Sequence, residues 1–155
     1  MEFTLRQIGV VRVDATEEEV REKSGALIGR VEVFEAFEDG LHGIDEYSHL
    51  FLIAYLDRVR YRLLRVKPRR LLRKGFREEE LPELGVFATD SPVRPNPIAL
   101  TLVRLLRREG RVLHVEGLDL FDGTPVIDIK PYRSDYRAKE YSVPKWVGYD
   151  SRPEI

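Results

Sequence analysis

Cysteine is absent from the 155-residue chain. That absence excludes disulfides, thiolate metal sites and cysteine nucleophiles together. No apolar run reaches the roughly 20 residues that a membrane-spanning helix needs. The first ten residues lack the basic-then-apolar pattern of a secretory signal. Histidine is scarce, and His42, His49 and His114 do not have the close spacing of metal ligands. There is no Gly-rich strand-to-helix phosphate loop, which argues against a parallel Rossmann-type sheet. These absences imply a cytoplasmic protein with no membrane segment and no metal.

What is present fits one globular domain. Hydrophobic residues make up 43% and charged residues 34%, a balance that supports a packed core. The reading is a single domain over 1–155, with its core over about 5–132 and a polar tail over 133–155. Net charge is −1, but the charge is unevenly placed. Between Arg58 and Arg77 stand 10 basic residues in 20, with no acid among them, while the other 135 residues carry 16 basic and 27 acidic ones. Such a block is either a solvated arm or a surface for phosphates.

Periodicity predicts short strands. Residues 5–13, 26–34, 50–56, 85–89, 98–106, 112–120 and 125–129 read as strands. Thr16 with Glu19 three residues later forms a capping box, so 16–23 reads as a helix. Glu109-Gly110 marks one hairpin, and Asp122-Gly123 marks a second. Arg58, Arg60 and Arg62 share one face if their segment is extended. Many short strands with closely spaced turns predict a mainly β fold: a compact antiparallel β-barrel with one or two short helices.

Two segments concentrate the candidate chemistry. Residues 85–98 hold Pro92, Pro95 and Pro97, which fix the backbone and remove donors. A loop stiffened in this way holds Ser91, Arg94 and Asn96 at low entropic cost. Phe87 precedes it and is suited either to stacking on a base or to core packing. Residues 117–132 hold Asp119 and Asp128 on either side of Asp122-Gly123. If the flanking strands pair, both carboxylates approach one end of the sheet; Asp128 and Lys130 otherwise make only a surface ion pair.

Together these segments resemble the TsaA-like, tRNA methyltransferase O family. The matching runs are Gly85-Val86-Phe87-Ala88-Thr89, Arg94-Pro95-Asn96-Pro97-Ile98 and Asp119-Leu120-Phe121-Asp122-Gly123-Thr124-Pro125, continued by Asp128-Ile129-Lys130-Pro131-Tyr132. Gly40-Leu41-His42-Gly43-Ile44 and Tyr47-Ser48-His49-Leu50 extend the likeness toward the N-terminus. The resemblance implies an antiparallel barrel, a homodimer, and S-adenosylmethionine bound near the subunit interface. It implies methylation of N6 of threonylcarbamoyl-adenosine beside the tRNA anticodon. It also implies cofactor contacts from Asp57, Arg58, Asp90, Leu100, Gly117, Leu118 and Asp119. To these the loop adds Phe87, Ser91, Pro92, Arg94 and Asn96.

Methyl transfer to a poor nitrogen nucleophile benefits from a proton acceptor. Asp119 and Asp128 are the candidate catalytic residues, with His49 behind them. Arg60, Arg62, Arg65, Lys67, Arg69 and Arg70 are the candidate contacts to tRNA phosphates, with Tyr61 and Phe76 as aromatic partners. Arg104, Arg107, Arg108 and Arg111 extend the possible basic surface. The chain departs from the family in having Asp90 where Arg is usual and Ala99 where Gly is usual. Two other readings follow: a binding module without transferase activity, and a methyltransferase for a small molecule.

Overall fold

Two-residue alternation of apolar side chains builds the walls of the molecule. β1 (Gly9–Arg12) is buried over its first three residues, and the alternation runs through β2 (Leu27–Val33) and β3 (His49–Tyr55). Two very short strands follow, β4 (Arg65–Val66) and β5 (Leu84–Gly85). The long strands resume with β6 (Ile98–Glu109), β7 (Val112–Leu118) and β8 (Pro125–Pro131). This computed structural model describes residues 1–149 and 153–155.

The six long strands close into an antiparallel barrel in the order β1-β2-β7-β6-β3-β8, with β8 returning to β1. Val11, Val31, Leu50, Leu52, Ala54, Val103, Leu113, Val115 and Val126 point inward and are fully buried. Burying one Val or Leu contributes about 1.5–3 kcal/mol, whereas an exposed ion pair contributes ~0–1 kcal/mol. The barrel interior therefore carries the fold, and the many surface ion pairs do not. β3 is apolar on both faces: its outer residues Phe51 and Ile53 are half-buried, Phe51 lying edge-on to Tyr132 and Tyr136.

The helix α1 (Glu17–Glu22) joins β1 to β2. Its capping box forms as read: Glu19 N–H donates to the Thr16 hydroxyl, and the Glu19 carboxylate accepts from the Thr16 amide. Val20 plugs it into the core. Behind it β2 bends close to β1. A Cβ on Gly29 would stand 2.5 Å from the Arg12 carbonyl oxygen, so only glycine fits there.

Four expectations change. The strand expected over 5–13 is shorter, and β1 covers Gly9–Arg12 only. The strand expected over 85–89 is the end of β5 followed by a single 3-10 turn, Val86–Ala88. Residues 58–64 form no strand, so Arg58, Arg60 and Arg62 do not share a strand face. Asp122-Gly123 is a turn but not a hairpin, because β7 pairs with β2 and β6 while β8 pairs with β1 and β3. The turn docks on β1 instead: Gly123 N–H donates to the Val11 carbonyl at 2.8 Å, and Val13 N–H donates to the Asp122 carboxylate at 3.1 Å.

Residues 67–83 leave the barrel as an arm. β4 and β5 pair at its base, Arg65 opposite Gly85 and Val66 opposite Leu84. Leu71 and Leu81 anchor it through buried side chains.

Candidate functional site

A cleft of about 1090 Å³ opens where five segments meet. α1 and the turn after it supply Glu17, Val20, Arg21 and Ser24. The segment after β3 supplies Leu56 to Tyr61, and the arm supplies Arg69, Arg70, Leu72 and Arg73. The proline loop with the start of β6 supplies Asp90, Pro92, Val93, Arg94, Asn96 and Ile98 to Thr101. The turn after β7 supplies Asp119, Leu120, Phe121 and Thr124. The volume stands just above the roughly 300–1,000 Å³ of ordinary small-molecule pockets.

The side chains in this cleft are held from behind. Thr101 is 1% exposed, and its hydroxyl donates to Asp119 Oδ1 at 2.7 Å. This bond gives the carboxylate a fixed direction at the cleft wall. Arg94 folds back on its own loop, with Nη1 donating to the Thr89 and Ser91 carbonyls at 2.9 and 3.3 Å. Leu63 N–H donates to the Val93 carbonyl at 2.8 Å, tying the segment after β3 to the same loop.

Phe121 lies between two guanidinium groups, Arg21 at 5.0 Å and Arg58 at 5.5 Å from its ring centre. Each such contact is worth about 0.5–1 kcal/mol at an exposed site. Arg58 also donates to the Asp122 carbonyl at 2.7 Å and pairs with Glu17. It therefore joins α1, the turn after β7 and the segment after β3.

The arm carries its own counter-charges. Arg69 binds both oxygens of Glu78 at 2.7 and 2.6 Å, and Lys67 approaches the same carboxylate at 3.6 Å. Arg73 donates to Glu18 of α1 at 2.9 Å, and Arg65 pairs with Glu83 at 3.4 Å. The Arg73 hydrogen bond holds the Glu18 carboxyl below its usual range, and the Arg69 hydrogen bond does the same for Glu78. Seven arginines and four carboxylates nevertheless line the cleft among the described residues, so an anionic ligand meets a net positive wall.

The expected site residues divide clearly. Asp57, Arg58, Asp90, Pro92, Arg94, Asn96, Leu100 and Asp119 line the cleft together, as do Arg60, Arg69 and Arg70. Phe87, Ser91, Gly117, Leu118 and Asp128 are not in its lining, nor are Arg62, Arg65 and Lys67. Phe87 is 75% exposed and Leu118 is in the barrel core. Asp128 stands on the outer face opposite Ile53, where it pairs with Lys130 at 3.7 Å; with no β7–β8 hairpin, nothing draws it toward Asp119. His49 hydrogen-bonds Ser48 and the Ile155 carbonyl. Arg107, Arg108 and Arg111 are held around the β6–β7 hairpin by Glu109, Asp45 and backbone carbonyls. The sequence reading missed Arg21, Arg73, Thr101 and Phe121. Only Thr101 left a signal, a polar residue at an inward position within the apolar first half of β6.

The model of the tRNA-methyltransferase O N-terminal domain matches residues 19–137. The chain belongs to this family. Among curated relatives, it is 45% identical over 133 residues to a probable S-adenosyl-L-methionine-binding protein of Archaeoglobus fulgidus, covering 84% of this chain and 34% of that one. It is 33% identical to the tRNA (adenine(37)-N6)-methyltransferase of Escherichia coli K12, covering 84% and 57%. The chain thus spans about a third of the first of these relatives and a little over half of the second. Among solved structures, TrmO from P. aeruginosa superposes with a TM-score of 0.71 at 28% identity, covering 99% of this chain and 64% of that one. The barrel expected of the family is the barrel observed.

Proposed function

We propose that this protein is an S-adenosylmethionine-dependent methyltransferase that methylates the exocyclic nitrogen of an adenosine in tRNA, with threonylcarbamoyl-adenosine beside the anticodon as the specific target. The observation that carries the reading is the convergence of Asp57, Asp90, Asp119, Leu100 and Arg94 in one cleft beside an arginine-rich arm. The donor set suits the cofactor. Asp57, Asp90 and Asp119 would hold a sulfonium and an ammonium, Leu56 and Leu100 would offer apolar surface to an adenine, and Arg94 has N–H groups left that would meet a carboxylate. When bound, the cofactor supplies an electrophilic methyl group on positively charged sulfur.

The chain's own part is alignment and proton acceptance. Asp119, fixed by Thr101, would accept the proton that leaves the nitrogen as the N–C bond forms and the methyl–sulfur bond breaks to leave a neutral thioether. Asp57 and Asp90 favour the cationic ground state of the donor. Asp90 in place of the family's usual arginine supports a second reading, a binding protein without transfer activity, in keeping with the name given to the Archaeoglobus relative. We also propose that the active form is a homodimer whose interface borders the cleft. Phe3, Leu5, Tyr55 and Ile98 are exposed apolar side chains, and Ile98 lines the cleft.

Incubation with methyl-labelled cofactor and total tRNA decides between the readings. Label entering tRNA at adenosine supports the enzyme. Saturable cofactor binding with no label in any tRNA supports the binding protein. Absence of both overturns the assignment.

A further inference from the structure

The cleft has more aromatic surface than its cofactor end uses. Two rings line it, Phe121 and Tyr61. Phe121 is covered by the guanidinium groups of Arg21 and Arg58. Tyr61 is 60% exposed, and among the described residues no ring or guanidinium covers it. Phe76, the other aromatic of the basic stretch, packs against Tyr149 at 5.2 Å and is already engaged.

The backbone under Tyr61 is not loose. Arg62 Nη1 donates to the carbonyls of Val59 and Tyr61, both at 3.2 Å. Leu63 N–H reaches the Val93 carbonyl, and Val86 N–H reaches the Leu64 carbonyl at 2.9 Å. The ring is thus presented from a braced turn, with little ordering cost left when a flat ligand arrives. Its neighbour Arg60 lines the same cleft and makes no hydrogen bond or ion pair among the described residues. Arg69 and Arg70 line the cleft from the arm.

An open aromatic face beside guanidinium groups is the chemistry that receives an unstacked base and its phosphates. The cleft is also larger than one small ligand needs. We infer that Tyr61 is the stacking platform for the target base, and that Arg60 holds the adjoining phosphate, so that the substrate enters as a nucleotide already out of its helical stack. The inference rests on the methyltransferase reading for the choice of an adenine base. Its structural part, a single-strand site at Tyr61, stands apart from whether a methyl group is transferred.

The test uses the full chain and a short single-stranded oligoribonucleotide containing one adenosine, with a duplex of the same length as the comparison. Tyr61→Phe keeps the platform and should bind the single strand as the parent does. Tyr61→Leu should weaken it about tenfold or more, the size of one lost base–aromatic stack, and leave duplex affinity and cofactor binding within about twofold. Two results overturn the inference: a Tyr61→Leu protein that binds the single strand as tightly as the parent, or a parent that binds no single strand. Failure of the methyltransferase reading is seen separately, as no labelled methyl group in tRNA while the Tyr61 dependence of RNA binding persists.

Discussion

Thr101 shows how much one hydroxyl decides here. It sits at an inward position of β6, where the neighbouring inward residue is Val103. Valine would fill that space as well, so packing alone does not require threonine. The hydroxyl proton goes to Asp119 Oδ1, and hydrogen bonds to charged groups are worth about 1.5–3 kcal/mol. Replacing Thr101→Val should therefore lower stability by up to about that amount, and cofactor affinity should fall about tenfold, the equivalent of ~1.4 kcal/mol. Calorimetry on the two proteins checks this; equal affinities would mean that Asp119 needs no fixed direction. At this scale much of the site was legible. The proline loop brings Pro92, Arg94 and Asn96 to the cleft because three prolines leave its backbone few alternatives. Asp128 was misplaced because β7 and β8 do not pair with each other, so nothing carries its strand toward Asp119.

At the scale of elements, local chemistry was read well and long-range pairing was not. The capping box of α1 depends on two residues three apart, and both appear in the sequence. The strand partners of Asp122-Gly123 depend on how the barrel closes, which no local signal encodes. The basic block misled in the same way. Its own span holds no acid, yet Glu18 of α1 and the acids after Gly75 pair with Arg73, Arg69 and Arg65. The buried Leu71 and Leu81 hold the arm in place, and those pairs give its arginines local counter-charges. The cleft lining, which includes Arg60, Arg69 and Arg70 but not Arg62, Arg65 and Lys67, moves the expected RNA contacts to the first three. Each neutralised phosphate contributes a slope of roughly −0.7 to −0.9 in log affinity against log salt. Replacing these three arginines together by Ala should flatten the salt dependence of tRNA binding by about two units and leave cofactor affinity close to the parent's. Parallel salt titrations that do not differ in slope would place the phosphate contacts elsewhere.

For the molecule as a whole, the question is what covers its remaining apolar surface. The barrel fills its interior, but Phe3 is 81% and Leu5 is 58% exposed. They line a shallow groove of about 330 Å³ with Tyr55, Pro125 and Ile127 on the outer wall. Tyr55 is the β3 partner of Ile98 on β6, and Ile98 lines the main cleft. The apolar surface therefore runs from the groove to the cleft margin. A second copy seated there would hide it and deepen the cleft, since a two-fold interface buries the same patch on both partners. Sedimentation at rising concentration should show a species of twice the 18.1 kDa chain mass. Leu5→Glu with Tyr55→Glu should return it to the single-chain mass, because two carboxylates per partner would have to lose water to pair. The double variant should also bind cofactor more weakly, although neither residue lines the cleft. A parent that stays at the single-chain mass would remove the dimer. A variant that dissociates with unchanged cofactor affinity would keep the dimer but separate its interface from the site.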